Sequence, residues 1–180
     1  MRNILLIISF LFSFSVQAQV SKVDLQASGL TCSMCSNAIY KALKTLDFVD
    51  KVNANIENST FEIIIKPAAV ADFDKIKNKV EDAGFAVANL VATINFDNVA
   101  IKNDQHVNVG ATTFHFLNTK NQTLNGEQKI RFLDKGYVSS REYKKNGSYT
   151  KMACYKTGVA GACCAKADLP EGKRIFHVTI

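Results

Sequence analysis

Val23, Leu25 and Ala27 alternate with polar neighbours, the spacing of a half-buried strand. Ala38, Ile39, Ala42, Leu43 and Leu46 then recur at helical spacing, so that segment buries one stripe of a helix. Val52, Ala54 and Ile56 alternate again, Glu57-Asn58-Ser59 reads as a tight turn, and Phe61, Ile63 and Ile65 form a partner strand that Pro67 ends. A second helix places Val70, Phe73, Ile76, Lys77 and Val80 on one side and stops at Gly84. Phe85, Val87 and the run to Val91 read as a further strand. The pattern changes character after residue 92. Residues 107–118, 127–140, 149–158 and 173–180 are rich in β-branched and aromatic residues and are separated by "NGE", "KNGS" and "PEG" turns.

The order strand, helix, strand, strand, helix, strand predicts a four-stranded antiparallel sheet with both helices on one face, the ferredoxin-like arrangement. The predicted class is therefore α+β, with a ferredoxin-like domain over 19–92 and a small all-β domain, barrel or sandwich, over 93–180. Residues 1–18 carry one early charge at Arg2, an apolar run from Ile4 to Val16, and Val16-Gln17-Ala18 at the end. That pattern is a signal peptide cut after Ala18, with the run too short to span a bilayer. The expected location is periplasmic or secreted, with no membrane span left after cleavage.

Charge narrows the field only slightly. The net charge is +6 at pH 7, but Lys and Arg are spread along the chain rather than gathered on one segment, which argues against a nucleic-acid partner. No nucleophile-base pair, paired carboxylates or phosphate-binding glycine loop is present, so catalysis is not expected.

The candidate chemistry lies in "GLTCSMC", where Cys32 and Cys35 meet the start of the first predicted helix. Thiolates suit soft ions such as Cu(I), Hg(II) or Zn(II), and the positive end of a helix favours the thiolate form. Two sulfurs satisfy a nearly linear Cu(I) or Hg(II) centre but leave a zinc tetrahedron incomplete. An exported Cys-x-x-Cys pair also suits a thiol-disulfide oxidoreductase, and a disulfide framework is a third possibility. "GLTCSMC" opening a helix inside this unit, together with "EDAGF" at its end, resembles the heavy-metal-associated domain, which includes copper chaperones, modules of copper-pumping ATPases and the periplasmic mercury-binding protein. The family's usual Gly-Met-Thr-Cys-x-x-Cys has Leu30 here in place of methionine, a change of similar volume. The resemblance implies Cu(I) as the preferred ion, Hg(II) or Zn(II) as alternatives, and a protein partner for metal transfer. It also leans away from zinc through the neutral Thr31, and sets Phe85 beneath the metal loop, where plain core packing is the other reading. Met34 is a candidate auxiliary donor on the solvent side.

The second half holds Cys154, Cys163 and Cys164 beside Met152 in a small-residue segment. They read either as a second soft-metal site or as a disulfide from Cys154 with one spare thiol. His106, His115 and His177 are the remaining candidate ligands; His115 and His177 face opposite to their aromatic or apolar neighbours, which solvated strand histidines explain without a metal. The expected function is that of an exported carrier or scavenger of Cu(I). A thiol oxidoreductase, a mercury-binding protein and a protein-recognition module are the competing classes.

Overall fold

The computed structural model describes residues 19–30 and 33–180. The expected signal peptide with its cut after Ala18, and the predicted site residues Thr31 and Cys32, lie outside the described residues. The elements are β1 (Gln19–Ser28), α1 (Ser33–Leu43), β2 (Val49–Asn55), β3 (Thr60–Ile65), α2 (Phe73–Asp82), β4 (Ala86–Ile101), β5 (Gln105–Val109), β6 (Thr112–Phe116), β7 (Gln122–Phe132), α3 (Ser140–Asn146), α4 (Cys154–Thr157) and β8 (Ile175–Thr179). Short 3-10 turns cover Gly147–Tyr149 and Ala162–Ala167.

The predicted strand-helix order is present in the first half. β1 pairs antiparallel with β3 and β4, and β2 with β3, giving the ferredoxin-like order β2-β3-β1-β4. The alternation in β1 buries Val23, Leu25 and Ala27 against Ile39 and Leu43 of α1 and Phe73, Ile76 and Val80 of α2. Helix α2 starts later than the apolar spacing suggests. Asp72 caps it by accepting the Lys75 N–H at 2.9 Å, which fixes the first turn and leaves Val70 outside and exposed.

The second half is β-rich, as its composition implies, but its strands extend the first sheet instead of closing into a barrel or sandwich. β4 runs for 16 residues across position 92 and pairs with β7, and the sheet continues as β7-β8-β6-β5. The physical reason is the edge of the first unit: unpaired, β4 would present a row of open N–H and C=O groups, and β7 satisfies them. β6 and β8 are parallel and the other pairings antiparallel. Four short helical pieces, unforeseen in this half, lie between β7 and β8.

Both faces of the extended part are covered. On one face Phe73 of α2 meets Phe132 at 4.6 Å and Phe176 at 5.3 Å between ring centroids, with Phe114 also in contact. One continuous buried cluster thus includes residues of both halves. Asp74, next on α2, takes a fork from Arg174 (2.8 and 3.2 Å) and the Tyr137 hydroxyl at 2.8 Å. The opposite face buries Leu117, Leu133 and Tyr155 in one small cluster and Cys154, Ala160, Cys164 and Ile175 in another.

Truncating Phe73 to Ala should cost about 3–5 kcal/mol, the usual range for a buried aromatic. Because its ring serves both halves, Phe73→Ala should lower the stability of the whole chain in a single transition. Coincident far-ultraviolet and near-ultraviolet denaturation curves check this; two separated transitions, with only one moved, would contradict it.

Candidate metal centres

The first site is built where β1 ends. Gly29 takes a left-handed φ of +84°, which a side chain would strain, and turns the chain toward α1. Leu30 packs on the core from this turn, filling the place that its volume suggested. Cys35 is half-buried on the first turn of α1, which carries no acidic residue, and Met34 points outward at 81% exposure. Phe85 packs against the core, and its ring lies 3.9 Å from the space a Cβ on Gly29 would fill.

The second site is built by sheet register. A two-residue connection at Gly110-Ala111 sets His106 of β5 opposite His115 of β6, and the parallel pairing sets His115 beside His177 of β8. The three imidazoles therefore form a row on one face, with ring centroids 4.2 Å and 5.1 Å apart. The expectation of solvated strand histidines is overturned: His115 and His177 are fully buried and His106 half-buried. The alternation does turn them away from Phe114 and Phe176, but the helical segment between β7 and β8 covers that face too.

That segment brings the three thiols onto the histidine row. Cys154 on α4 sets its sulfur 3.7 Å from His106 Nε2 and 3.8 Å from His115 Nδ1. Cys164, in the second 3-10 turn, sits 3.5 Å from the same His106 nitrogen and 3.5 Å from the Cys163 sulfur. The donor atoms of Cys154, Cys163 and Cys164 lie within 4.8 Å of one another, as do those of His106, His115 and Cys154. Carboxylates fix the rings from behind. His115 Nε2 is 3.0 Å from Asp104, and Asp134 accepts both the His177 backbone N–H at 2.7 Å and its Nδ1–H at 2.9 Å. His177 Nε2, at the far corner of the ring, is buried without a hydrogen-bond partner.

The electrostatics keep the His106 and His115 rings neutral. Burial, then the neighbouring His106 and His177, push His115 down to about 3 against a smaller opposing pull from Asp104. Burial and His177 also lower His106. Burial and the neighbouring Cys164 raise the Cys154 thiol. Cys163 differs: burial pushes it up, but hydrogen bonds from the Cys154 backbone and the Cys164 side chain outweigh that and leave it below an ordinary thiol.

The character of the first loop is decided by comparison with known proteins. The family model described as "Heavy-metal-associated domain" matches residues 24–86, which include the whole of "GLTCSMC". Residues 24–86 are a heavy-metal-associated domain. The chain is 32% identical over 73 residues to a probable copper-transporting ATPase, HMA5, of Arabidopsis thaliana, covering 41% of this chain and 7% of that protein. It is 29% identical over 68 residues to the copper chaperone CopZ of Staphylococcus aureus, covering 38% of this chain and 98% of CopZ. Among solved structures, oxidized MerP of Ralstonia metallidurans is 26% identical with a TM-score of 0.35, covering 39% of this chain and 96% of MerP. The chain thus spans under a tenth of the ATPase's length and nearly all of CopZ. The histidine-cysteine cluster lies outside the heavy-metal-associated domain.

Of the predicted site residues, Cys154, Cys163 and Cys164 are brought together and Cys35 is placed at the start of α1, while Cys32 falls outside the described residues. His106 and His115, candidate ligands whose preferred reading was a solvated strand position, join the thiols. The signal for them was present: counting outward from Gly110-Ala111 as a two-residue hairpin turn pairs the two histidines directly.

The His115 shift has a direct consequence for stability. An unfolded histidine takes a proton near its ordinary value of 6.5, which the folded ring refuses until about 3, so stability is complete above the first value and falls as pH drops toward the second. Metal-free reduced protein should lose on the order of 1–2 kcal/mol between pH 7 and pH 5 by urea unfolding, and His115→Gln should flatten that slope. A slope unchanged by His115→Gln would show that the ring does not titrate this way.

Proposed function

We propose that this protein is an exported carrier of a soft metal ion, holding Cu(I) between Cys32 and Cys35 and passing it to a protein partner by ligand exchange. The single observation that carries the reading is the heavy-metal-associated domain at 24–86, with both cysteines of its motif present. The names of the relatives, a copper chaperone and a copper-transporting ATPase, support copper as the cargo. Export rests on the signal-like residues 1–18 and puts the carrier outside the cytoplasm.

The chemistry follows from an under-coordinated ion. Two thiolates bind a d10 ion strongly yet leave its flank open, so a partner's thiolate can enter before one of the carrier's leaves. A half-buried Cys35 at the rim of α1 suits that exchange, because the incoming sulfur need not unfold anything. Among the described residues no helix is long and apolar enough to cross a membrane. The same two-thiolate chemistry makes Hg(II) the alternative cargo, and the Cys-x-x-Cys spacing makes thiol-disulfide exchange the alternative chemistry.

Anaerobic competition with a Cu(I) chelator tests the reading. Cys35→Ser should weaken Cu(I) binding by more than about 100-fold, whereas Met34→Leu, at an outward-facing position, should change it by less than about threefold. Equal losses would remove the two-thiolate clasp. Weak Cu(I) binding together with disulfide-reductase activity would transfer the assignment to the oxidoreductase class.

A further inference from the structure

We infer that the histidine-cysteine cluster of the second half is a closed, tetrahedral zinc site that fastens the segment between β7 and β8 onto the sheet. The site is separate in place and kind from the open pair at Cys32 and Cys35. Cys154, Cys164 and His106 form its central triangle, and Cys163 and His115 flank it as the donors available for the fourth position.

The spacing of the donors carries the inference. With zinc-sulfur bonds of about 2.3 Å and zinc-nitrogen bonds of about 2.0 Å, the edges of a tetrahedron are about 3.8 Å between sulfurs and about 3.5 Å from sulfur to nitrogen. The distances here are 3.5 and 3.7 Å from His106 Nε2 to Cys164 and Cys154, 3.8 Å from His115 Nδ1 to Cys154, and 3.5 Å between the Cys163 and Cys164 sulfurs. Thiol hydrogen bonds alone account poorly for this arrangement. Sulfur is a weak donor and a weak acceptor whichever tautomers His106 and His115 adopt, so sulfurs gathered on imidazole nitrogens make a poor hydrogen-bond network and a good metal donor set.

The support behind the donors has the form that metal sites need. His115 turns its Nε2 to Asp104, which leaves the Nδ1 lone pair toward the cluster; a carboxylate behind a ligating histidine is the usual way of fixing the ring. The donors also come from four separate pieces of chain: His106 from β5, His115 from β6, Cys154 from α4, and Cys163 and Cys164 from the 3-10 turn. β5 and β6 are held by the sheet, and Tyr155 anchors α4 by packing with Leu117 and Leu133. The rest of the segment from Ala153 to Ala167 is dominated by small residues, and its own cluster buries Cys154, Ala160 and Cys164 with Ile175. An ion joining the 3-10 turn and α4 to the sheet supplies folding energy that so small a core does not.

Four protein donors with Cys154 and Cys164 buried suit an ion that stays rather than one passed on. Occupied thiolates are also protected from oxidation after export. α2 packs on the face of Phe114 and Phe176, with α1 in the same core, and the cluster is on the other face. This inference therefore does not depend on the copper reading.

The test is zinc content and Co(II) substitution of the chain purified without added reductant, with variants that separate the two sites. Wild type and Cys35→Ser should each retain about one zinc per chain in the cluster and give the intense visible absorption of tetrahedral Co(II)-thiolate. His106→Ala should weaken zinc at least about tenfold, and His106→Cys, which restores a donor, should recover it with a shifted Co(II) spectrum. Of Cys163→Ser and His115→Gln, the one that removes the fourth ligand should weaken zinc and the other should leave it. The inference is overturned if intact mass shows a Cys154 disulfide and no zinc, if His106→Ala leaves zinc binding unchanged, or if neither flanking variant weakens zinc. Because Cys35→Ser abolishes only the first site, failure of the copper reading leaves these outcomes unchanged.

Discussion

Strand β4 hydrogen-bonds along both edges, and the placement of nearly everything else follows from that. Along residues 91–95 it pairs with β1 on one side and β7 on the other. A four-stranded ferredoxin-like unit ends in a free edge at this strand, and a free edge must be shielded, shortened or paired. Here it is paired, so the second half grows sideways from the first. The irregularity between Phe96 and Val99, with Asn98 at a positive φ, interrupts the ladder to β7 just beyond the stretch shared with β1.

Lateral growth places α2 at a junction. Its Phe73 ring fills the space over Phe114, Phe132 and Phe176, and its Asp74 carboxylate takes the Arg174 fork. Arg174 also stands 3.5 Å from Asp134, which holds the backbone and ring of His177. A chain of charged groups therefore leads from a helix of the heavy-metal-associated domain to the histidine row. Charge pairs like these, partly screened at Arg174 and Asp74, specify register more than they stabilise.

The legible part of the sequence was the part with strong periodicity and a local signature. Alternation and helical spacing gave the order of elements to residue 92, and "GLTCSMC" marked the first site, because each rests on neighbours in sequence. The second half was legible in composition but not in arrangement. Nothing local at Val91 says that the strand continues or that its other edge will be used, since its β7 partner Arg131 lies far along the chain and the pairing is decided by the need to satisfy backbone groups. The short helices α3 and α4 are too brief for periodicity to declare them. The histidines were misjudged for a related reason: alternation reports which face a residue takes, and here it was right, but it says nothing about whether that face is covered.

The opposite-face arrangement of the two cysteine groups has a consequence for how the molecule meets its surroundings. Sulfur-to-sulfur handover requires the donors to come within bonding reach of one ion, and a paired sheet is too rigid to fold one face onto the other. On the proposed readings, an ion leaving one group must re-enter solvent, or ride on another protein, before it reaches the second. Each group would then answer to the supply outside rather than to its neighbour, as two independent gauges on one frame.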